Sequence, residues 1–464
     1  GVTQTFSTPL FSGKTRQAYT EGAAAGTITI TAPSMALDGS LLGRAIQGPE
    51  QRANPAAGGT IRISFESQKT LTVAGGAPAF ISHSPTPPTI TFSNTKPVLD
   101  GPEFVLSGGQ PAALATDRTL NVTLSSTLLD EDGFSSLEVV NPDGAIIVPE
   151  SVKLDAGRSG SIKLSGANIS IDGKVTASGG TLDFTTYNLS PSFVAEYQLL
   201  TPSPTAPFPT PVSGRGLFRL GENAVLSTAG FFTDDRLGAD SITGDPIQTA
   251  GGKVSIKSFS ADLESGSRID VSGSAYVSDR SEITYGNAGS ISIAAGNDPG
   301  FSGVTGGTLT LKSELLGYSG SKGGTLSIQA GLVRIGGTPV AGALNLRENF
   351  FNKGGFNRFN LTGIGARSTA TPPTGFTETY EAAVSIASGT RIRPVASSLQ
   401  AITKDNGDIV LERVTAEKGL RNPVSLSFTA LGNDDLFTPD SLEIRGDVVM
   451  EAGASIVTDP GAGV

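Results

Sequence analysis

Cysteine and tryptophan are absent from this 464-residue chain, histidine occurs once and methionine twice. Without cysteine there is no disulfide staple and no thiol nucleophile, and the lone imidazole of His83 leaves no ligand set for a transition metal. Charge is also scarce. Asp, Glu, Lys and Arg make up 16% of the residues, against about 25% in an average domain. The formal net charge of −10 opposes nucleic acid or an anionic membrane as a partner. No run of 18 apolar residues occurs, so no transmembrane segment is expected. The hydrophobic share is a modest 37%, while glycine numbers 60, about 13% of the chain and nearly twice ordinary usage. Such a mixture suits a long, thin object with a narrow core and a Ser/Thr-rich surface. Zero cysteine also fits a secreted bacterial fibre that crosses a periplasm without being cross-linked.

What is present in abundance is one phrase: one or two glycines, a small polar residue, then alternating apolar residues. It occurs as Gly58-Gly59-Thr60-Ile61-Arg62-Ile63, Gly160-Ser161-Ile162-Lys163-Leu164, Gly179-Gly180-Thr181-Leu182-Asp183-Phe184 and Gly251-Gly252-Lys253-Val254-Ser255-Ile256. Three further copies begin at Gly289, Gly306 and Gly323, carrying Ile291/Ile293, Leu309/Leu311 and Leu326/Ile328. Apolar residues at every second position between glycine turns specify short half-buried strands, and recurrence every 17–20 residues specifies stacked coils. The expected fold is all-β, a right-handed parallel β-helix (β-solenoid) with extruded loops, the hand following from the rule for parallel crossovers. Helix is excluded locally, because glycine every few residues would cost about 1 kcal/mol each in a helix interior.

The stretch 151–186 spells out one coil. Ile162 and Leu164 alternate with polar residues, Gly166-Ala167 turns, Ile169 and Ile171 resume, Asp172-Gly173 turns again, Val175 starts a third strand, and Ser178-Gly179-Gly180 closes the circuit before Leu182. The predicted inward core is Ile162, Leu164, Ile169, Ile171, Leu182, Val254, Ile256, Leu309, Leu311, Leu326 and Ile328. Four stretches follow. Residues 1–150 read as a β-rich segment with irregular Pro-rich insertions, and 151–342 as regular coils with a Pro-rich loop at 187–215. Residues 343–383 read as an inserted irregular segment, with a short helix expected around Leu346–Gly354. Residues 384–464, with Ile409 and Leu411 among their strands, read as coils continuing beyond the fragment. Proline clusters at 84–88, 202–211 and 371–374 belong in extruded loops, since proline cannot donate to a ladder. Neither end carries an initiator Met, signal peptide or cap pattern, so the chain is expected to be cut from a longer one.

With these repeats laid out, residues 250–464 resemble the filamentous-haemagglutinin family of large exoproteins of Gram-negative bacteria. The resemblance rests on Gly323-Gly324-Thr325-Leu326-Ser327-Ile328, on Gly354-Gly355-Phe356-Asn357-Arg358-Phe359-Asn360-Leu361 with Ala387-Ser388-Gly389-Thr390-Arg391-Ile392-Arg393-Pro394, and on Leu442-Glu443-Ile444-Arg445-Gly446-Asp447 with Ala452–Gly461. It implies two-partner secretion through an outer-membrane partner barrel, an extracellular or cell-surface location, and action in adhesion, biofilm matrix or fibre assembly.

Candidates for chemistry are few. Thr233-Asp234-Asp235-Arg236 offers an acidic pair beside a base, the minimum for acid–base work on a sugar polymer, though a solvated loop is the expected reading. His83 sits in the Pro-rich phrase Ser82-His83-Ser84-Pro85. Asp130 and Asp132, and likewise Asp434 and Asp435, place carboxylates in turns as calcium prefers, yet neither completes a twelve-residue loop. Gly214-Arg215-Gly216 and Gly363-Ile364-Gly365 lack the helix that a phosphate loop needs. Phe350, Phe351, Phe356 and Phe359 are either a sugar-stacking platform or, as expected, a buried cap. No catalytic set, cofactor or metal is therefore expected. The leading expectation is a non-enzymatic structural and adhesive segment, acting through copies of itself or through cell-surface or polysaccharide ligands. A polysaccharide lyase or hydrolase, or a passive shaft presenting another domain, are the alternatives. The loops at 77–102, 187–215 and 343–383 are the expected contact surfaces.

Overall fold

A computed structural model describes residues 21–37, 39–48, 51, 54–66, 71–74, 77–80, 87–96, 106–107, 110–111, 115–200, 209–236, 247–367, 380–432, 446–461 and 463. Most of its regular structure is strand. In the largest sheet ten strands lie side by side in chain order: Thr27–Thr31, Gly59–Ser64, Phe134–Val148, Ser161–Ile171, Thr181–Thr186, Lys253–Lys257, Ser290–Ala294, Thr325–Ala330, Arg358–Gly363 and Ser425–Ala430. Every neighbouring pair along this path is parallel.

The register explains why the alternation matters. Ile61, Leu137, Ile162, Leu182, Val254, Ile291, Leu326, Phe359 and Leu426 stand directly beside one another. All nine are buried and join one apolar cluster. A second such row runs two residues on, through Ile63, Val139, Leu164, Phe184, Ile256, Ile293, Ile328 and Leu361. Between the two rows the side chains point outward: Arg62, Glu138, Lys163 and Asp183 alternate in sign, with Glu138 bonded to Arg62 and to Lys163, both at 2.9 Å. Opposite charges on neighbouring strands support the pairing that like charges would oppose.

Two further rows climb with the first. The second halves of Phe134–Val148 and Ser161–Ile171 continue into Leu217–Leu220, Ser260–Leu263 and Leu309–Leu311. A separate five-stranded parallel sheet runs through Lys153–Asp155, Lys174–Thr176, Val225–Ser227, Arg268–Asp270 and Glu314–Leu316. Residues 161–180 thus make two strands before Leu182 pairs with Ile162: Ser161–Ile171, whose register shifts at Gly166-Ala167 so that its halves join different rows, and Lys174–Thr176, with turns at Asp172-Gly173 and Ser178-Gly179-Gly180. Longer excursions also return in register, as Leu182 pairs with Val254 and Phe359 with Leu426.

Three expectations need correction. Ile291, Leu309 and Leu326 are not three successive coils. Ile291 pairs directly with Leu326, whereas Leu309 pairs with Ala261 in the second row. The glycine phrase marks the start of a strand, not the face it joins. Leu309 and Leu311 are accordingly only half-buried against the core, while Ile162, Leu164, Ile169, Ile171, Leu182, Val254, Ile256, Leu326 and Ile328 are buried. Residues 398–414, including Ile409 and Leu411, do not climb with the rows; Ser398–Thr403 and Ile409–Val414 form an antiparallel hairpin. The Pro-rich segment 187–215 contains the helix Pro191–Leu200, so the extruded segment has structure of its own. Around 346–354 the expected short helix is the 3-10 helix Glu348–Asn352.

These positions give a paired test. Ile171→Asp places a carboxylate in the core row, where an unpaired ion costs several kcal/mol, and should abolish cooperative melting or lower Tm steeply. Lys163→Asp sets a carboxylate between Glu138 and Asp183 on a half-exposed surface. It should cost about 1 kcal/mol or less, and salt should erase the loss. Thermal melts at low and high salt check both.

Candidate functional site

The acidic pair at 233–236 closes on itself. Thr233–Asp234 is a short strand parallel to Ala275–Val277. Just beyond it, Arg236 folds back to grip Asp234 with two bonds, Nε to Oδ1 at 3.0 Å and Nη2 to Oδ2 at 2.7 Å. The guanidinium holds the Asp234 carboxyl below the usual carboxylate range, so Asp234 is ionised at neutral pH and has no proton to give as a general acid. Asp235 accepts a bond from the Tyr276 hydroxyl at 2.8 Å. The same Nη2 of Arg236 also donates to the carbonyl of Gly407 at 3.1 Å, at the tip of the 398–414 hairpin. The same hairpin meets the body where Leu399 N donates to Ser319 O at 3.0 Å, Ala401 N donates to Tyr285 Oη at 2.9 Å, and Arg413 lies 4.3 Å above the Tyr318 ring. The expected solvated loop is instead a short strand with Thr233 and Asp234 buried, and its Arg236 ties down the hairpin.

A second polar cluster anchors the 187–216 excursion. Asp298 is almost fully buried, and its carboxylate accepts four backbone N–H groups: Asn188 at 2.6 Å and Leu189 at 3.1 Å on Oδ2, Gly300 at 2.8 Å and Phe301 at 2.9 Å on Oδ1. Asn188 then clips the far side of the excursion, bonding Val212 and Arg215 through its side chain. Arg215 bonds Asn188 O, Pro142 O and Asp143. The glycines flanking Arg215 serve this geometry. Gly216 has φ +83°, and a Cβ there would lie 2.7 Å from Phe259 and 2.9 Å from Asn188. None of this was foreseeable from Gly214-Arg215-Gly216 alone, because Asp298 lies more than a hundred residues from Asn188 and Leu189.

The calcium candidates do not converge. Asp130 ends the short helix Thr127–Asp130 and is exposed, whereas Asp132 is buried and met by Lys96 Nζ at 3.0 and 2.9 Å. Asp434, Asp435 and His83 lie outside the described residues, as do Pro202, Pro204, Pro207 and the 371–374 cluster. Among the described residues no group of three His, Cys, Asp or Glu gathers to hold a metal. Gly363-Ile364-Gly365 ends a strand, with Ile364 buried. The phenylalanines form an edge-to-face cluster with centroids 5.2–5.9 Å apart; Phe351, Phe356 and Phe359 are buried and Phe350 half-buried. They are a plug, not a platform.

Two surface depressions stand out among the described residues. One, of about 460 Å³, is open and polar, between Gly336-Gly337, Arg347–Asn349 and Ser388–Thr390. The other, of about 640 Å³, runs from Gly266 and Leu311–Leu316 to Phe350 and Asn352–Gly354 and reaches the core at Leu326 and Phe359. Its components were scattered in the sequence and nothing there marked it. No protein-family model matches the chain, and no curated protein or solved structure is significantly similar to it.

The anchors are testable. Asp298→Ala leaves the buried N–H groups of Asn188 and Leu189 without their carboxylate acceptor and should cost on the order of 2–4 kcal/mol, read by denaturant melts, with protection lost first in 187–216 by hydrogen exchange. The pH dependence has a definite sign. Asp234 is held low by Arg236, Asp459 by Arg421 and Glu451 chiefly by the Ser388 N–H. Their contribution is complete above the unfolded carboxylate values of about 4 and is lost as pH falls through the lower folded values. Melting temperature should thus be flat near neutrality and drop below about pH 4, and Arg236→Ala should remove part of that acid-side slope.

Proposed function

We propose that the chain is a right-handed parallel β-helix that serves as a stiff structural and adhesive segment of a large secreted bacterial surface protein of the filamentous-haemagglutinin type. The observation that carries this reading is the pair of inward apolar rows, kept in register through ten parallel strands. At about 4.8 Å per strand that array is about 45 Å tall and stiff along its axis. Its mechanism is mechanical and multivalent: many weak lateral contacts along a rigid rod sum by avidity. Copies of the chain, cell-surface partners or polysaccharide are the contacts proposed, with an outer-membrane secretion partner for export and the extracellular side as the site of action. The chain works without catalysis. Support for that comes from Asp234 and Asp235, whose carboxylates are engaged by Arg236 and Tyr276. The anchored excursion at 187–216 and the strapped hairpin are the surfaces displayed.

Electron microscopy and X-ray scattering of the purified chain test the architecture, expecting an elongated particle; a compact globule would defeat it. A cell-binding and sedimentation comparison with a chain lacking 202–211 tests the adhesive part. The shortened chain should keep its melt and lose association. Intact protein that neither self-associates nor binds cells would reduce the proposal to a passive shaft. Release of sugar ends from polygalacturonate or alginate that vanishes in Asp234→Asn/Asp235→Asn would replace it with an enzyme.

A further inference from the structure

The hairpin Ser398–Thr403/Ile409–Val414 lies across the coils instead of along them, and its contacts with the body fall in one order. Val395 N donates to Asn352 Oδ1 at 3.0 Å, Leu399 N to Ser319 O at 3.0 Å and Ala401 N to the Tyr285 hydroxyl at 2.9 Å, while Gly407 O accepts from Arg236 at 3.1 Å. From base to tip, the partners step back through the chain one coil at a time. Counted by first-row strands, Arg236 follows Thr181–Thr186, Tyr285 follows Lys253–Lys257, Ser319 follows Ser290–Ala294 and Asn352 follows Thr325–Ala330. The hairpin itself follows Arg358–Gly363, and these five strands are consecutive neighbours in the largest sheet. The dimensions agree. Four steps at about 4.8 Å make about 19 Å, and six extended residues at about 3.4 Å span about 20 Å. Leu399 and Ala401, two residues apart, turn their N–H groups to the body as one edge of a strand does. The returning strand adds Arg413, 4.3 Å above the Tyr318 ring, and the buried Ile409.

We propose that the hairpin is an axial staple, which fastens five successive coils to one another so that they open together and not one by one. In a stack of coils each unit touches only its neighbours, so opening can travel along the stack coil by coil. The contact of Gly407 with Arg236 joins the fifth of these coils to the first, a span that has no counterpart in the parallel rows, which join adjacent coils. The tip is held on a fixed group, because Asp234 grips the same guanidinium through two bonds. The two strands of the hairpin pair with each other and with no row, so the ladders do not need them. What they add is a connection between coils that do not otherwise meet. The inference goes beyond the adhesive reading and does not depend on it, because it uses only the contacts of one hairpin with the coils beneath.

The test excises 398–414 from the full chain, joining Ser397 to Thr415 through two glycines, and follows hydrogen exchange by mass spectrometry. The junction is short, since the Ser397 and Thr415 hydroxyls already meet at 2.7 Å. The amides that decide are ones the hairpin does not touch, in Lys253–Lys257, Ser290–Ala294 and Thr325–Ala330. Excision should lower their protection at least about tenfold and leave Phe134–Val148, beyond the reach of the hairpin, as it was. In the intact chain these strands should exchange through one shared opening that includes 398–414. Tyr285→Phe/Arg413→Ala removes the hydroxyl that accepts Ala401 N and the cation over Tyr318, and should give a smaller loss of the same pattern. Loss confined to the residues the hairpin covers, such as Tyr285 and Ser319, makes it a cover and overturns the proposal, as does unchanged protection. Should the excised chain fail to fold, the double variant decides by the same criterion.

Discussion

Everything in this chain hangs on in-register parallel pairing. Because side chains alternate with a period of two, a slip of one residue would turn Ile162 and Leu164 outward and Lys163 inward. The consecutive strands leave no freedom for that slip. Each inward residue is flanked by another in the same row, and the outward charges Arg62, Glu138, Lys163 and Asp183 stand beside their opposites. The rows therefore specify one another. Ordinary helical or sandwich cores are held by contacts between different elements; here the same contact is repeated along an axis.

That constraint is indifferent to what happens between strands, provided the chain comes back in register. The cost of closing a loop grows only slowly with its length, so long excursions such as the one between Leu182 and Val254 are tolerated. What they require is local anchoring, and the scarce charged residues supply it. Asp298 gathers four N–H groups at the root of one excursion, Arg215 ties its return to Asp143, and Arg236 spans from Asp234 to the hairpin tip. In a chain so poor in charge, an acid next to a base is more often a fastener than a catalyst, because each is already neutralised where it stands.

The alternation at 161–186 was legible residue by residue, since its glycines are close together, although Gly166-Ala167 shifts the register inside one strand and does not end it. Legibility failed where one pattern serves two geometries. Strands of the first and second rows begin with the same glycine phrase, so Leu309 was indistinguishable from Leu326 although they join different faces. Alternation is likewise the same in parallel and antiparallel strands; Asn406-Gly407, a favoured hairpin turn, was the clue that 398–414 is a hairpin. Tyr285 and Tyr318 carried no local mark, and nothing marked the reach of Asp298 to Asn188 and Leu189. These contacts join residues about a hundred positions apart, a distance over which spacing says nothing.

The interruption at 348–356 shows what must be present when the ladder is broken. A 3-10 turn gives up the cross-strand bonds of its row, and the aromatic plug occupies the space instead. Phe351, Phe356 and Phe359 are buried edge-to-face, each contributing about 1.5–3 kcal/mol of burial, which offsets several ladder bonds at about 1 kcal/mol each. Gly354 makes the fit possible: its φ is +74°, and a Cβ there would stand 2.4 Å from the Leu315 carbonyl oxygen. The chain therefore crosses beside Glu314–Leu316 as a turn and not as a strand, tied there by Gly317 N to Gly354 O at 2.7 Å, and the aromatics close the core where the ladder stops.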